Sequence, residues 1–317
     1  MQPIIWYGIV IFVIEVFGAF SILFYGIWLI ARPDNTDVKE ALENPLGVQL
    51  RRRYHVRVLI PCYKESAMIV QRTVIAAHTA VVPRGSQITV YLCDDGNDPV
   101  KQAFIKSRNS PNLVYVTGRP KGVKSSNGKS DNLNHTLSLI YPEAEHGIPL
   151  TELVCLLDAD QTCSRAAFFP SLLAYIDSGD DVGAALSPQF VFNANHGDIL
   201  NHQNIPFWEK MQPGMDALGF ISLTGTNMIL RSRALHTCGW FPTESVTEDW
   251  ALGMRMVRRT QLFKLRLNKL SMFAPYYIIY CLCLLFPCLS LHDSCRGDLT
   301  LTYLHMYPRL QGRHASF

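Results

Sequence analysis

The stretch LVCLLDAD, residues 153–160, decides how this chain is read. An apolar run of strand-forming residues stops at two carboxylates, Asp158 and Asp160, one residue apart. A continuous hydrophobic run of this length marks a strand buried on both faces of a parallel sheet. In open α/β sheets the ligand crevice lies outside the carboxyl ends of such strands. Where the backbone turns after the strand, both carboxylates can face one hard cation. Mg²⁺ or Mn²⁺ suits such oxygen ligands, and substrate phosphates commonly complete its shell. The plainer reading has Asp158 capping a following helix and Asp160 solvated. The rest of the chain chooses between the two.

Upstream, VRVLIPCYKE (56–65) and ITVYLCDDG (88–96) read as apolar strands ending in acids, and LVYVTG (113–118) as a third strand. Helical spacing fills ESAMIVQRTVIAAHTAV (65–81), a short segment at 99–108, and KSDNLNHTLSLIY (129–141), for which Ser130 or Asp131 is the expected start. Strands alternating with helices predict a parallel sheet covered by helices. Acids then end three strands, at Glu65, at Asp94 and Asp95, and at Asp158 and Asp160. A parallel sheet brings those ends to one edge. Neither GxGxxG nor GxxxxGK[ST] is present, and NGKS at 127–130 is too short for a phosphate loop. Phosphates would be held by a cation and by bases such as Lys124 or Lys129, an arrangement suited to a sugar-nucleotide diphosphate.

Downstream, GAALSPQFVF (183–192) reads as a further strand. ISLTGTNMILRSRAL (221–235) carries small residues, Thr224, Gly225 and Thr226, that let backbone approach a ligand. In SVTEDWALGMRM (245–256), Ser245 or Thr247 can cap a helix whose first turn holds Glu248 and Asp249.

The chain has 317 residues, enough for one large domain or two small ones, and its net charge of +3 is too small to imply nucleic acid. Nine cysteines form no CxxC pair and several sit in apolar runs, which points to a reducing compartment. Residues 4–30 carry one ionisable group, Glu15, and are long enough to span a bilayer. Glu15 is read as facing a partner helix or protonated, ahead of a functional intramembrane acid. Arg32, Lys39 and Arg51 to Arg53 follow the run, so the positive-inside rule puts the next domain in the cytosol. The expected organisation is an N-terminal transmembrane helix at 1–31, a linker at 32–54 and a cytosolic domain at 55–260. A second candidate span at 270–291, weakened by Pro275 and Pro287, and an irregular tail at 292–317 complete it.

The ordered set PCYKE, DDG, NGKSDNLN, DAD, TGTN and TED resembles the processive family 2 glycosyltransferases over about residues 50–256. Within them it is most similar to the cellulose synthases and cellulose synthase-like proteins. The resemblance implies an α/β, GT-A-like nucleotide-diphospho-sugar transferase domain with a mostly parallel sheet, flanked by transmembrane helices. It implies that Tyr63 and Glu65 lie near uracil and ribose, and that Asp94 and Asp95 belong to the base pocket. Lys129 would contact the diphosphate, with Asn132 and Asn134 shaping its loop. Asp158 and Asp160 would hold Mg²⁺ or Mn²⁺, Asp158 also lying at the diphosphate. Gln189, Thr224, Gly225, Thr226 and Glu248 would stand on the acceptor side. Trp250 would stack on a sugar or pack in the core. Asp249 would be the general base of an inverting transfer.

The implied donor is a UDP-sugar, UDP-glucose first. The implied product is a β-linked polysaccharide such as cellulose, with chitin, hyaluronan or mannan as alternatives. Implied partners are the growing polysaccharide, the bilayer of the plasma membrane or Golgi, and other synthase subunits. The family's Gln-x-x-Arg-Trp element is missing, QLFKL (261–265) being the nearby stretch. That departure predicts a truncated synthase that binds UDP-sugar without making polymer as the competing expectation.

Overall fold

A computed structural model describes residues 2–30, 43–120, 127–191, 197, 204–217 and 221–259. The second candidate span, the tail, QLFKL, Lys124 and residues 32–42 of the linker lie outside the described residues. Helix α1 (Gln2–Ile30) contains an 18-residue window, Trp6–Leu23, of mean hydropathy 2.1 with nothing buried. By length and composition it can cross a membrane.

The domain is an α/β layer structure. Strands β1 (His55–Cys62), β2 (Gln87–Asp94), β3 (Leu113–Val116) and β4 (Glu152–Leu156) are joined through helices α2 (Ala67–His78), α3 (Pro99–Ser107) and α4 (Gly128–Ile140). Helix α5 (Phe168–Ser178), β5 (Ala184–Leu186), a π-helical turn (Phe207–Met211), α6 (Gln212–Ala217), β6 (Met228–Arg231), α7 (Ser232–Thr237) and α8 (Glu248–Arg259) follow. The sheet order is β3-β2-β1-β4-β6-β5. β1 to β4 run parallel, and β6 is antiparallel to both its neighbours. The strand order therefore reverses between β1 and β4, the place where such sheets bind ligands.

The apolar runs are buried on both faces, as expected of β1 and β4. Val56, Val58 and Ile60 of β1, with Leu153 and Cys155 of β4, pack with Val70, Val74, Phe168 and Phe169. Leu59, Val154 and Leu156 face the other way, onto Leu133, Leu137, Met228, Leu230 and Leu252. Helix α2 buries Val70, Thr73, Val74 and Ala77, one face at helical spacing. The five described cysteines, 62, 93, 155, 163 and 238, are buried free thiols within these layers.

Two local expectations are corrected. Helix α4 starts at Gly128, and its cap is Asn127, whose Oδ1 accepts from Ser130 N at 3.1 Å; neither Ser130 nor Asp131 starts it. Among the described residues of the stretch read as a strand over 183–192, β5 runs Ala184–Leu186, where β6 supplies a partner. The segment 221–227 is a largely buried loop leading into β6.

Arg231 staples the far side of the sheet. It is fully buried and donates to the carbonyls of Val182 (2.8 Å), Leu150 (2.9 Å), Ile176 (2.6 Å) and Gly179 (2.8 Å). Two of those carbonyls lie at the end of α5, where no helical partner remains.

Candidate active site

The ends of β2, β1 and β4 lie side by side, so parallel register alone gathers PCYKE, DDG and DAD. The two aspartates of DDG then part company. Asp94 shares the face of Val90 and Leu92 and is fully buried. Its carboxylate accepts from Gly96 N (3.0 Å), Asp98 N (2.8 Å) and Tyr115 Oη (2.7 Å), with buried Lys101 at 3.6 Å. Those bonds build the turn, so the expected donor contact from Asp94 is replaced by a structural role. Gly96 completes the turn because a Cβ there would collide with the Tyr63 carbonyl. Asp95 points to the other side and is clamped by Arg119 at 2.8 and 3.0 Å; Arg119 also reaches Asp131 at 3.2 Å. Tyr63 is half exposed beside this turn, and Glu65 folds back to accept from Tyr63 N at 2.6 Å.

Lys129, in the first turn of α4, is the hub. Its Nζ donates to Asp158 Oδ1 (2.6 Å) and to the Gly225 carbonyl (3.0 Å), and lies 3.5 Å from Glu248 Oε1. Burial works against its charge, but the Asp158 carboxylate, and then Glu248, outweigh that and raise its pKa. Asp158 and Asp160 both have raised pKa values, first because burial penalises the carboxylate. Lys129 counteracts this at Asp158, whereas the Asp158 charge raises Asp160 further. No helix begins at Asp158, which removes the capping explanation. Its backbone N donates to Thr226 Oγ1 at 2.9 Å, and that hydroxyl donates to Gln161 Oε1 at 2.6 Å. Thr226 is therefore a buried tie between loop and strand end.

Gly225 joins the two halves of the site. It holds φ +70°, and a Cβ there would lie 3.2 Å from Asp249 Oδ2 and 3.5 Å from Lys129 Nζ. The TED aspartate thus abuts the loop that Lys129 grips. Asp249 is half-buried, and burial raises its pKa, opposed by the hydrogen bond from Trp250 N at 2.8 Å. Glu248 is buried and accepts from Asn127 Nδ2 at 2.8 Å, so it braces the interior where acceptor contact was expected. Trp250 is half exposed, which excludes the core-packing alternative. Thr224 Oγ1 donates to the Thr226 carbonyl (3.2 Å), and Gln189 is partly exposed beyond β5. Asn132 and Asn134 sit on α4 and hold the backbone of neighbouring segments. Asn132 donates to Cys93 O, and Asn134 pairs with the backbone of Phe241.

Sequence reasoning missed two residues. Asn127 caps α4 and also donates to the carbonyls of Ser245 (3.2 Å) and Val246 (3.1 Å), tying α4 to the TED segment. An Asn-Gly pair ahead of a helical pattern was the available signal. Arg119, which orients Asp95, had no such signal.

Among the described residues no group of three or more His, Cys, Asp or Glu side chains gathers around one point. The carboxyl pair Asp158 and Asp160 nevertheless fits a hard divalent cation. Both are oxygen donors on one turn with partly buried charge, and water and a diphosphate can fill the remaining positions.

Residues 53–263 match the family model described as glycosyltransferase like family 2. A UDP-forming cellulose synthase catalytic subunit of Dictyostelium discoideum is 31% identical over 150 residues, covering 46% of this chain and 13% of that protein. Its UDP-forming counterpart from Komagataeibacter sucrofermentans, also a cellulose synthase catalytic subunit, is 27% identical over 211 residues, covering 64% of this chain and 26% of that protein. The chain thus spans about a quarter or less of the length of these relatives. Among solved structures it is similar to a mannosyltransferase of Pyrobaculum calidifontis in complex with GDP-Man and Mn²⁺. That likeness has a TM-score of 0.46 and 17% identity, over 76% of this chain and 60% of the other.

Proposed function

The chain belongs to glycosyltransferase-like family 2, and from that premise we propose a metal-dependent, inverting transfer from a UDP-sugar to a β-linked glycan. The fold is GT-A-like and the protein is a glycosyltransferase. UDP-glucose is the donor we assign first, with cellulose as product, because the relatives it matches carry that activity in their names. The observation that carries the reading is Gly225. Through it Lys129, paired with Asp158, and Asp249 border one space.

In the proposed reaction the acceptor hydroxyl attacks the anomeric carbon on the face opposite UDP. Asp249 takes the hydroxyl proton, the new glycosidic bond forms and the bond to the diphosphate breaks. A carboxylate whose pKa burial has raised is a better base for that step than an exposed one. Lys129 would meet the charge on the diphosphate, and Asp95, fixed by Arg119, would face the base. Asp158 and Asp160 would hold Mg²⁺ or Mn²⁺, which would neutralise charge building on the departing diphosphate. The half-exposed Trp250 is placed to stack on an acceptor sugar. Helix α1 would anchor the domain in the bilayer, with the basic residues after it on the cytosolic side.

The test is UDP release from a panel of UDP-sugars by the membrane-embedded chain, with Mg²⁺ or Mn²⁺ and with or without oligosaccharide acceptors. Release requiring one sugar, a metal and Asp249 is expected. UDP binding without release from any sugar would replace this reading with a binding-only role.

A further inference from the structure

Three fixed groups surround one flexible side chain at the heart of the site. Asp158 is pinned through its backbone to Thr226, and Glu248 is pinned by Asn127, itself bound to Ser130, Ser245 and Val246. The Gly225 carbonyl belongs to a loop held in place by Thr226 and Gln161. Lys129 reaches all three from a four-carbon stem with three donors on its ammonium. Of the four groups Lys129 has the longest free stem, and leaving Asp158 breaks one side-chain bond while Glu248 stays within reach. Its shortest bond, 2.6 Å, goes to Asp158, whose side chain is 34% exposed, while Glu248, at 10% exposed, waits at 3.5 Å.

We propose that Lys129 is the resident counter-ion of Asp158 in the donor-free protein and releases that carboxylate when the donor arrives, with Glu248 as its second anchor. The inference rests on the metal-dependent donor site proposed above. A cation approaching Asp158 alone must displace a positive charge already hydrogen-bonded to it. A nucleotide diphosphate draws the ammonium away and delivers its own oxygens, so metal and nucleotide each strengthen the other's binding, as reciprocal coupling requires. Glu248 lowers the cost of the move by keeping the ammonium partnered between states. It is in this sense a positioning residue.

The experiment measures Mn²⁺ bound by the membrane-embedded full chain, from the electron paramagnetic resonance of free Mn²⁺, with and without UDP. Asp158→Asn protein sets the background of unrelated sites. Wild type is expected to bind Mn²⁺ weakly alone and more tightly with UDP. Lys129→Met should bind Mn²⁺ alone more tightly by roughly two- to fivefold, the range for a partly exposed pair. It should also lose most of the enhancement by UDP. Glu248→Gln should shift Mn²⁺ binding the opposite way, because the lysine then rests on Asp158 with less competition. A structural lesion moves both variants in one direction, so the opposed signs are the signature. Unchanged or weakened Mn²⁺ affinity in Lys129→Met, with metal-dependent UDP binding intact in wild type, overturns this inference alone. Absence of metal-dependent UDP binding in wild type overturns it together with the proposed function. If Lys129→Met does not fold, Lys129→Gln takes its place with the same expected tightening of Mn²⁺ binding.

Discussion

Gly225→Ala is the substitution that tests whether the TGT loop positions the TED carboxylate. Alanine at φ +70° costs about 1–2 kcal/mol of left-handed strain. The less flexible unfolded chain returns about 0.4–1 kcal/mol. The net destabilisation is about 1 kcal/mol, a fall in Tm of roughly 2–4 °C for a domain of this size. The larger effect is local. The new Cβ would sit 3.2 Å from Asp249 Oδ2, so that carboxylate must give by a few tenths of an ångström. Misplacement by 1 Å can cost about a hundredfold, so this shift should lower kcat roughly three- to tenfold. The same Cβ meets Lys129 Nζ at 3.5 Å, an ordinary contact, so UDP affinity should hardly change. Thermal unfolding, UDP binding and acceptor-dependent UDP release on one preparation separate the three numbers. A lowered Tm with wild-type kcat would show that the loop does not set the position of Asp249.

Replacing Asp158 and Asp160 together by Ala should abolish metal-dependent UDP binding, measured by calorimetry with and without chelator; retained binding would remove them from the metal site. Asp249→Asn should keep UDP affinity within about twofold while transfer falls by roughly 10²–10⁴, the range for a positioned base. Burial raises the Asp249 pKa, so wild-type kcat should rise with pH through a value above the ordinary aspartate range. The stability sign runs the other way. A raised carboxylate pKa favours the fold below the unfolded value and loses that benefit as pH rises through the folded one. Asp249→Asn should therefore raise Tm at neutral pH, and the gain should vanish in acid. Arg231→Met removes the side-chain donor of four carbonyls, of which that of Gly179 keeps Val182 N, and should destabilise the domain by about 3–5 kcal/mol, read from urea unfolding. Arg231→Lys should recover only part, because one nitrogen cannot span four acceptors.

The runs of β1, β2 and β4 were legible because a strand buried on both faces must be apolar throughout, and their acidic ends were legible because charge ends such burial. Parity was legible too. Asp94 is two residues past Leu92 and four past Val90, so alternation separated it from Asp95, but with both faces of β2 buried it could not say which carboxylate the turn would consume. The strand read over 183–192 is shorter among the described residues because β pairing needs a neighbour, and β6 pairs with Ala184–Leu186.

What the sequence determined alone was the alternation of strands and helices, the acids at their ends, and one apolar helix able to span a membrane. These follow from periodicity and from the cost of burying charge, both local to the chain. Only the tertiary structure decided that β4 lies beside β1, that Lys129 pairs with Asp158, and that Asn127 and Glu248 tie the two halves together. Those contacts join residues 29 and 121 positions apart. No local preference encodes such pairings; they arise when packing of the apolar faces brings the strand ends and the TED helix to one edge.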